Sequence, residues 1–186
     1  MPKIYDEERI GEGRWIVLDL VKYSDRFGAD RDWEVARRVN AAGAVGIIAT
    51  LKPSNAMIFI RQYRVPMDAY VIECPAGLVD HGETVETTAV RELYEETGYS
   101  GSITKTLPPV CSSPGFTDEV IALVLMEVDE NAPENQNVVP ALEPGEDIET
   151  IIVQENDLES FISAAIARGD RVDAKIMSWL IAKLGW

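Results

Sequence analysis

The sequence predicts a mixed α/β sandwich, a mixed sheet held between helices, with a β-hairpin ahead of it. Three observations point there. Apolar, β-branched segments separated by turn residues recur through residues 44–74 and 120–153. The stretch Thr84 to Thr97 lacks Gly and Pro and repeats Val85, Ala89 and Leu93 every four residues, the period of a helix packed along one side. Two amphipathic segments, 157–167 and 172–184, then follow the last strand and are separated by Gly169.

Taken in order, RWIVLDLV (14–21) has strand composition, Ser24 to Asp30 reads as a turn around Asp25 and Gly28, and WEVARRV (33–39) reads as the second strand of a hairpin. The segment 1–40 is expected to stand apart from a main domain at 41–186, whose first strand is 44–51. Lys52 to Asn55 is a turn, and 56–63 and 70–74 are strands. Thr84 suits the N-cap of the helix and Gly98 its stop. Strands are expected at 102–107, 120–128 and 148–153. Between the last two lies a polar, Pro-containing stretch, 129–145, long enough to suggest a functional or disordered loop.

Composition narrows the function. The chain has 186 residues, a formal net charge of −15, 46% hydrophobic and 26% charged residues, ordinary for a globular protein apart from its acidity. Such a charge disfavours nucleic acid and anionic membrane as partners. An anionic substrate needs a bound metal to reverse the local sign. The two cysteines, Cys74 and Cys111, make no disulfide framework and sit in apolar settings, which suggests buried thiols in a reduced, cytoplasmic protein. The first residues show no secretory h-region, and the longest apolar run, 41–51, is too short to span a bilayer. His81 is the single histidine, which leaves little room for Ser-His-Asp or Cys-His chemistry or a histidine-built zinc site.

The chemistry concentrates between Gly77 and Tyr99. Gly77, Glu83, Arg91, Glu92, Glu95, Glu96 and Gly98 stand in fixed register. On a helix Glu92, Glu95 and Glu96 share one face, where like charges repel. Either the face is simply solvated, or a hard divalent cation repays the repulsion.

The stretch resembles the Nudix box, G-x5-E-x7-R-E-U-x-E-E-x-G-U, with U a bulky aliphatic residue. All seven fixed letters match, and Tyr99 in the last aliphatic slot is the one departure. At about 6% usage per letter, seven matches arise by chance in only a few of ~10⁹ windows. The resemblance implies a sheet between helices over 41–186 and hydrolysis of a nucleoside diphosphate derivative. Three further segments are similar to the ADP-ribose and ADP-sugar pyrophosphatases of that family: RQYRVPMDAYVIECPAGLVDHGE (61–83), Ser113-Pro114-Gly115, and the EGRW and DWEVARR segments near the N-terminus.

That resemblance implies a set of roles. The carbonyl of Ala76 with Glu92 and Glu96 would ligate two or three Mg²⁺ ions (Mn²⁺ is an alternative), with Glu83 and Glu95 as additional ligands and Arg91 orienting a glutamate. Trp15 and Trp33, one from each subunit of a homodimer with swapped N-terminal strands, would clasp an adenine. Glu34, Arg38, Arg64, Leu78 and Ser113 would line the same substrate site. Glu146, in the acidic loop PGEDIE, would be the base that takes a proton from water; Glu119 is the runner-up, and a one-residue slip would move the role to Asp147. ADP-ribose would yield AMP and ribose 5-phosphate. A Nudix hydrolase of another nucleotide derivative, or a non-catalytic nucleotide-sugar-binding module, are the rival expectations.

Overall fold

The computed structural model describes residues 1–39 and 43–184. The expected domain boundary at residues 40 and 41, and the start of the apolar run 41–51, lie outside the described residues. The N-terminal part is a sheet of three antiparallel strands, β1 (Lys3–Glu12), β2 (Ile16–Ser24) and β3 (Asp30–Arg38), in that order. The expected hairpin is present as β2 and β3, and β1, which was not expected, adds a third strand to it. Nine of the ten residues of KIYDEERIGE are exposed, and two register shifts interrupt the pairing of β1 with β2. A strand with no buried face leaves no period-2 pattern in the sequence.

The second sheet is built on β4 (Ala44–Lys52), β5 (Met57–Arg64), β6 (Ala69–Glu73) and β10 (Val120–Asp129). β10 runs parallel to β4 over nine residue pairs, while β5 is antiparallel to both β4 and β6. Short strands complete it: β7 (Ala76–Leu78) on β4, β8 (Ser102–Thr106) and β9 (Val110–Cys111) on β10, β11 (Ile148–Val153) on β5, and β12 (Arg171–Val172) on β6. β7, β9 and β12 are two or three residues long, too short for any periodicity to register.

Alternation along the strands makes two cores. Val45, Ile47, Ala49 and Ile58 pack with Ala89 and Leu93 of helix α1 (Val85–Thr97). Met57, Phe59 and Ile72 pack against Leu158 and Ile162 of α2 (Leu158–Arg168) and Ile176 and Leu180 of α3 (Ala174–Leu184). The expected α/β/α sandwich is therefore present. α3 starts two residues later than its apolar pattern suggests. Arg171–Val172 joins the sheet, and Asp173 caps the helix by accepting from the Lys175 N–H at 2.7 Å.

Helix α1 is positioned at both ends. The Thr84 hydroxyl accepts from the Thr87 N–H at 3.2 Å, a cap worth about 1 kcal/mol. Gly98 takes φ 75° and lies so close to Val139 that a Cβ would sit 2.8 Å from its backbone nitrogen. The long polar stretch after β10 is thus packed rather than loose. Its buried Asn135 donates to the carbonyls of Ser100 and Asp129 and accepts from the Ser100 N–H, and the Ala141 N–H donates to the Glu95 carbonyl. Cys74 is buried, its thiol pushed up to about 12 by that burial, but Cys111 is exposed on the short edge strand β9, contrary to its apolar local sequence. Among the described residues no helix is long and apolar enough to cross a membrane.

Candidate active site

The site begins where β7 passes the C-terminal half of α1. Gly77 leaves room for a motif glutamate. A Cβ there would lie 1.9 Å from Glu92 Oε1, so any larger residue would push this carboxylate out of its place. One residue earlier, the Ala76 N–H donates to Glu96 Oε2 at 2.9 Å. These contacts pin the motif glutamates to the end of a strand that itself pairs with β4.

The glutamates divide into two environments. Arg91 forms ion pairs with Glu83 at 3.0 Å, Glu92 at 2.8 Å and Glu95 at 2.9 Å. Its guanidinium and the Thr88 hydroxyl hold the Glu83 carboxyl below its ordinary range. Glu96 is only 4% exposed and has no ion pair among the described residues. Burial, reinforced by the charges of Glu92 and Glu146, pushes its carboxyl up to about 8, although the Ala76 N–H opposes this. Burial raises Glu92 as well, against the pull of Arg91. Arg91 thus does more than orient one glutamate: it bridges three and leaves the fourth uncompensated.

Among the described residues no three acidic, histidine or cysteine side chains already converge on a single point. The donor chemistry nevertheless fits a hard divalent cation. All candidate ligands are oxygens, which Mg²⁺ prefers, and Glu96 is a buried carboxylate lacking a cation.

From β7 the site opens into a cleft of about 410 Å³ lined by Arg38, Arg64, Glu73, Leu78, Ser112, Glu119 and Lys175, with Ala76 and Gly77 at its wall. Each of its three cations has a carboxylate partner. Arg38 pairs with Glu119. Arg64 makes a two-pronged contact with Glu73, at 2.8 and 2.5 Å. Lys175 pairs with Asp173 at 2.7 Å. Forked guanidinium groups suit a diphosphate.

Only some of the expected residues meet in this cleft. Arg38, Arg64, Ala76 and Leu78 share the cleft. Ser113 does not line it; its neighbour Ser112 does, while the Ser113 carbonyl accepts from the Phe116 and Thr117 N–H groups in a turn. Glu34 is exposed on β3, opposite Leu20. Glu119, engaged by Arg38, lines the cleft. Glu146 sits in a turn with Glu143, accepting the Glu143 N–H at 2.7 Å, near enough to α1 that its charge acts on Glu92 and Glu96. Glu73, Asp173 and Lys175 were not foreseen. Asp173 and Lys175 lie about eighty residues beyond the motif, and an acid two residues before a lysine is too common a pattern to signal a site.

Trp15 and Trp33 are both exposed, by 68% and 52%. The Arg14 guanidinium covers the Trp15 ring at 4.6 Å, and Trp33 Nε1 donates to the Gly115 carbonyl at 3.2 Å. Ile16 pairs with Arg38 and Val21 with Trp33. Trp15 and Trp33 are therefore about six residues apart along the ribbon, or roughly 20 Å. Within one chain they cannot clasp the same base.

The sandwich, the strand-to-helix motif and its glutamates define a Nudix fold, and the NUDIX domain model matches residues 41–180. The chain belongs to the Nudix family. More particularly, it is 38% identical over 173 residues to the ADP-ribose pyrophosphatase of Saccharomyces cerevisiae, covering 89% of this chain and 75% of that one. It is 35% identical over 189 residues to the ADP-sugar pyrophosphatase of Mus musculus, covering 96% and 86%. A solved structure described as an ADP compounds hydrolase superposes with a TM-score of 0.65 over 87% of this chain and 83% of that one, at 20% identity, which speaks to the fold.

Proposed function

We propose that this protein is a divalent-metal-dependent hydrolase of ADP-ribose or a closely related ADP-sugar, releasing AMP and a sugar phosphate. One observation carries the proposal: the paired cations of Arg38, Arg64 and Lys175 line a cleft whose wall residue Ala76 is hydrogen-bonded to the buried, uncompensated Glu96 of α1. A diphosphate suits that junction, with cations on one side and a metal on the other. The names of the yeast and mouse relatives support an ADP-linked substrate.

Glu92, Glu96 and the Ala76 carbonyl would hold the metal, with Glu83 and Glu95 in support; Mg²⁺ suits this set of oxygens, and two or three ions would match the family pattern. Bound there, it would draw charge from the diphosphate and lower the pKa of a coordinated water. The chain supplies the rest. Arg64 and Arg38 orient the diphosphate by exchanging a carboxylate partner for phosphate oxygens. Glu146 takes the proton from the attacking water. Trp15 of one subunit and Trp33 of a second bracket the adenine, since one chain keeps them too far apart. The N-terminal sheet is accordingly the dimerisation element.

The test is a panel of nucleoside diphosphate sugars incubated with Mg²⁺, with products identified by mass. ADP-ribose should give AMP and ribose 5-phosphate. Equal turnover of guanine and uracil derivatives would refute the adenine site, and tight binding without turnover would leave a sensor instead of an enzyme. Glu146→Gln should lower kcat by about 10²–10⁴, the usual range for a general base, with Glu119→Gln much milder. The reverse order would move the base to the loop after Pro114.

A further inference from the structure

Glu146 precedes two residues that are tied down on the opposite face of the sheet. On β5, Arg61 pairs with Glu149 of β11 and Gln62 pairs with Ile148. Side chains alternate along both strands. Ile58, of the same parity as Gln62, belongs to the core under α1. Arg61 points the other way: it makes a two-pronged ion pair, at 2.9 and 3.0 Å, with the buried Asp170 that follows α2. Across the strand pair, the same guanidinium reaches Glu149 at 3.6 Å.

Arg61 also lies 3.7 Å above the ring of Tyr70 on β6. The Tyr63 ring meets Tyr70 edge-on at 5.5 Å. Thus held on two sides, the Tyr70 hydroxyl donates to Asp147 Oδ2 at 2.8 Å. Asp147 and Glu149 are both drawn to the α2–α3 face, on either side of Ile148. On the opposite face of β11 the Thr150 hydroxyl donates to the Glu96 carbonyl at 3.2 Å, and Glu146, which shares the parity of Thr150 and precedes Asp147, is left on that side, toward α1.

We propose that Tyr70 is a positioning residue for the reaction: its hydroxyl, backed by Arg61 and Asp170, latches Asp147 and so presents Glu146 to the glutamates of α1. The latch rests on the assignment of Glu146 as base. It also explains why Asp147, adjacent and equally acidic, is engaged elsewhere. Removing Arg61 itself would strand the buried charge of Asp170 and disturb the fold. The hydroxyl of Tyr70 is the informative group, because Tyr70→Phe deletes one oxygen and keeps the ring under Arg61.

The experiment is a set of linked double-mutant cycles on ADP-ribose hydrolysis, using Tyr70→Phe, Asp147→Ala, their combination, and Tyr70→Phe in a Glu146→Gln background. Both single variants should retain the melting temperature. Each should lose about three- to tenfold in kcat, the rate equivalent of one hydrogen bond, with KM unchanged. The double variant should be no worse than the poorer single one, and Tyr70→Phe should cost nothing further once Glu146 is gone. Full kcat in Tyr70→Phe overturns the latch, as does the same fractional loss in the Glu146→Gln background. If Glu146→Gln proves fully active, the base assignment falls. The latch then falls with it, whereas a fully active Tyr70→Phe beside an impaired Glu146→Gln overturns the latch and leaves the base in place.

Discussion

Glu96→Gln should make the metal-free protein more stable while abolishing its activity. Glu96 is buried against Ala76 with no cationic partner among the described residues, and its carboxyl is pushed from 4.5 up to about 8. A carboxyl raised by folding binds its proton more tightly in the native state than in the unfolded chain. Its contribution to stability is therefore complete below pH 4.5 and is lost as pH rises toward 8. At ~1.4 kcal/mol per pH unit, the interval sets a ceiling of about 5 kcal/mol; relaxation and water entry reduce this to about 2 kcal/mol. For a chain of this size that corresponds to about 4–8 °C in Tm. Gln removes the titration but still offers an oxygen to the Ala76 N–H.

The assay is thermal unfolding with a chelator between pH 4 and 9. Wild type and Glu96→Gln should coincide at the acid end and diverge above pH 5, the variant melting higher. Excess Mg²⁺ should raise the wild-type Tm above pH 7 and leave the variant nearly unmoved. Parallel pH profiles, or a variant destabilised throughout, would refute the view that an unpaired buried carboxylate is kept for a cation.

Three more outcomes are expected. Gly77→Ala would place a Cβ 1.9 Å from Glu92 Oε1; the flexible carboxylate can swing aside, so Tm should change little while kcat falls by about 10²-fold through ligand misplacement, and an active variant would remove Glu92 from the ligand set. Trp15→Ala and Trp33→Ala should each raise KM for ADP-ribose by about three- to tenfold with kcat retained, the value of one stacked ring; a change in only one of them would break the shared clasp. Sedimentation at micromolar concentration should give a dimer, and an active monomer would refute the two-subunit adenine site.

The sequence alone determined the class of fold and the helix that carries the motif glutamates. Helix α1 was legible because its cap, stop and apolar stripe are local, and because its four glutamates and arginine keep the spacing of one helix face. That Ala76 belongs with Glu92 and Glu96 came only from the resemblance to the Nudix family, and the hydrogen bond from Ala76 to Glu96 agrees with it. Other features had no local trace. β1 carries no alternation because neither of its faces is buried. Cys111 has apolar neighbours in sequence but sits on a two-residue edge strand. Nothing near Lys175 announces that α3 delivers it to the same cleft as Arg38, some 137 residues earlier in the chain.

The division of labour among the carboxylates was likewise left to tertiary structure. Glu92, Glu95 and Glu96 look equivalent along the helix. Only packing against β7 buries Glu96 under Ala76 and leaves Glu95 to Arg91. Glu146 and Asp147 are neighbours in one acidic run, and only the register of β11 on β5 sends Asp147 to Tyr70 while Glu146 remains on the side of α1. Local sequence sets backbone propensities and the order of charges, whereas desolvation and partner choice depend on which distant segments fold against them.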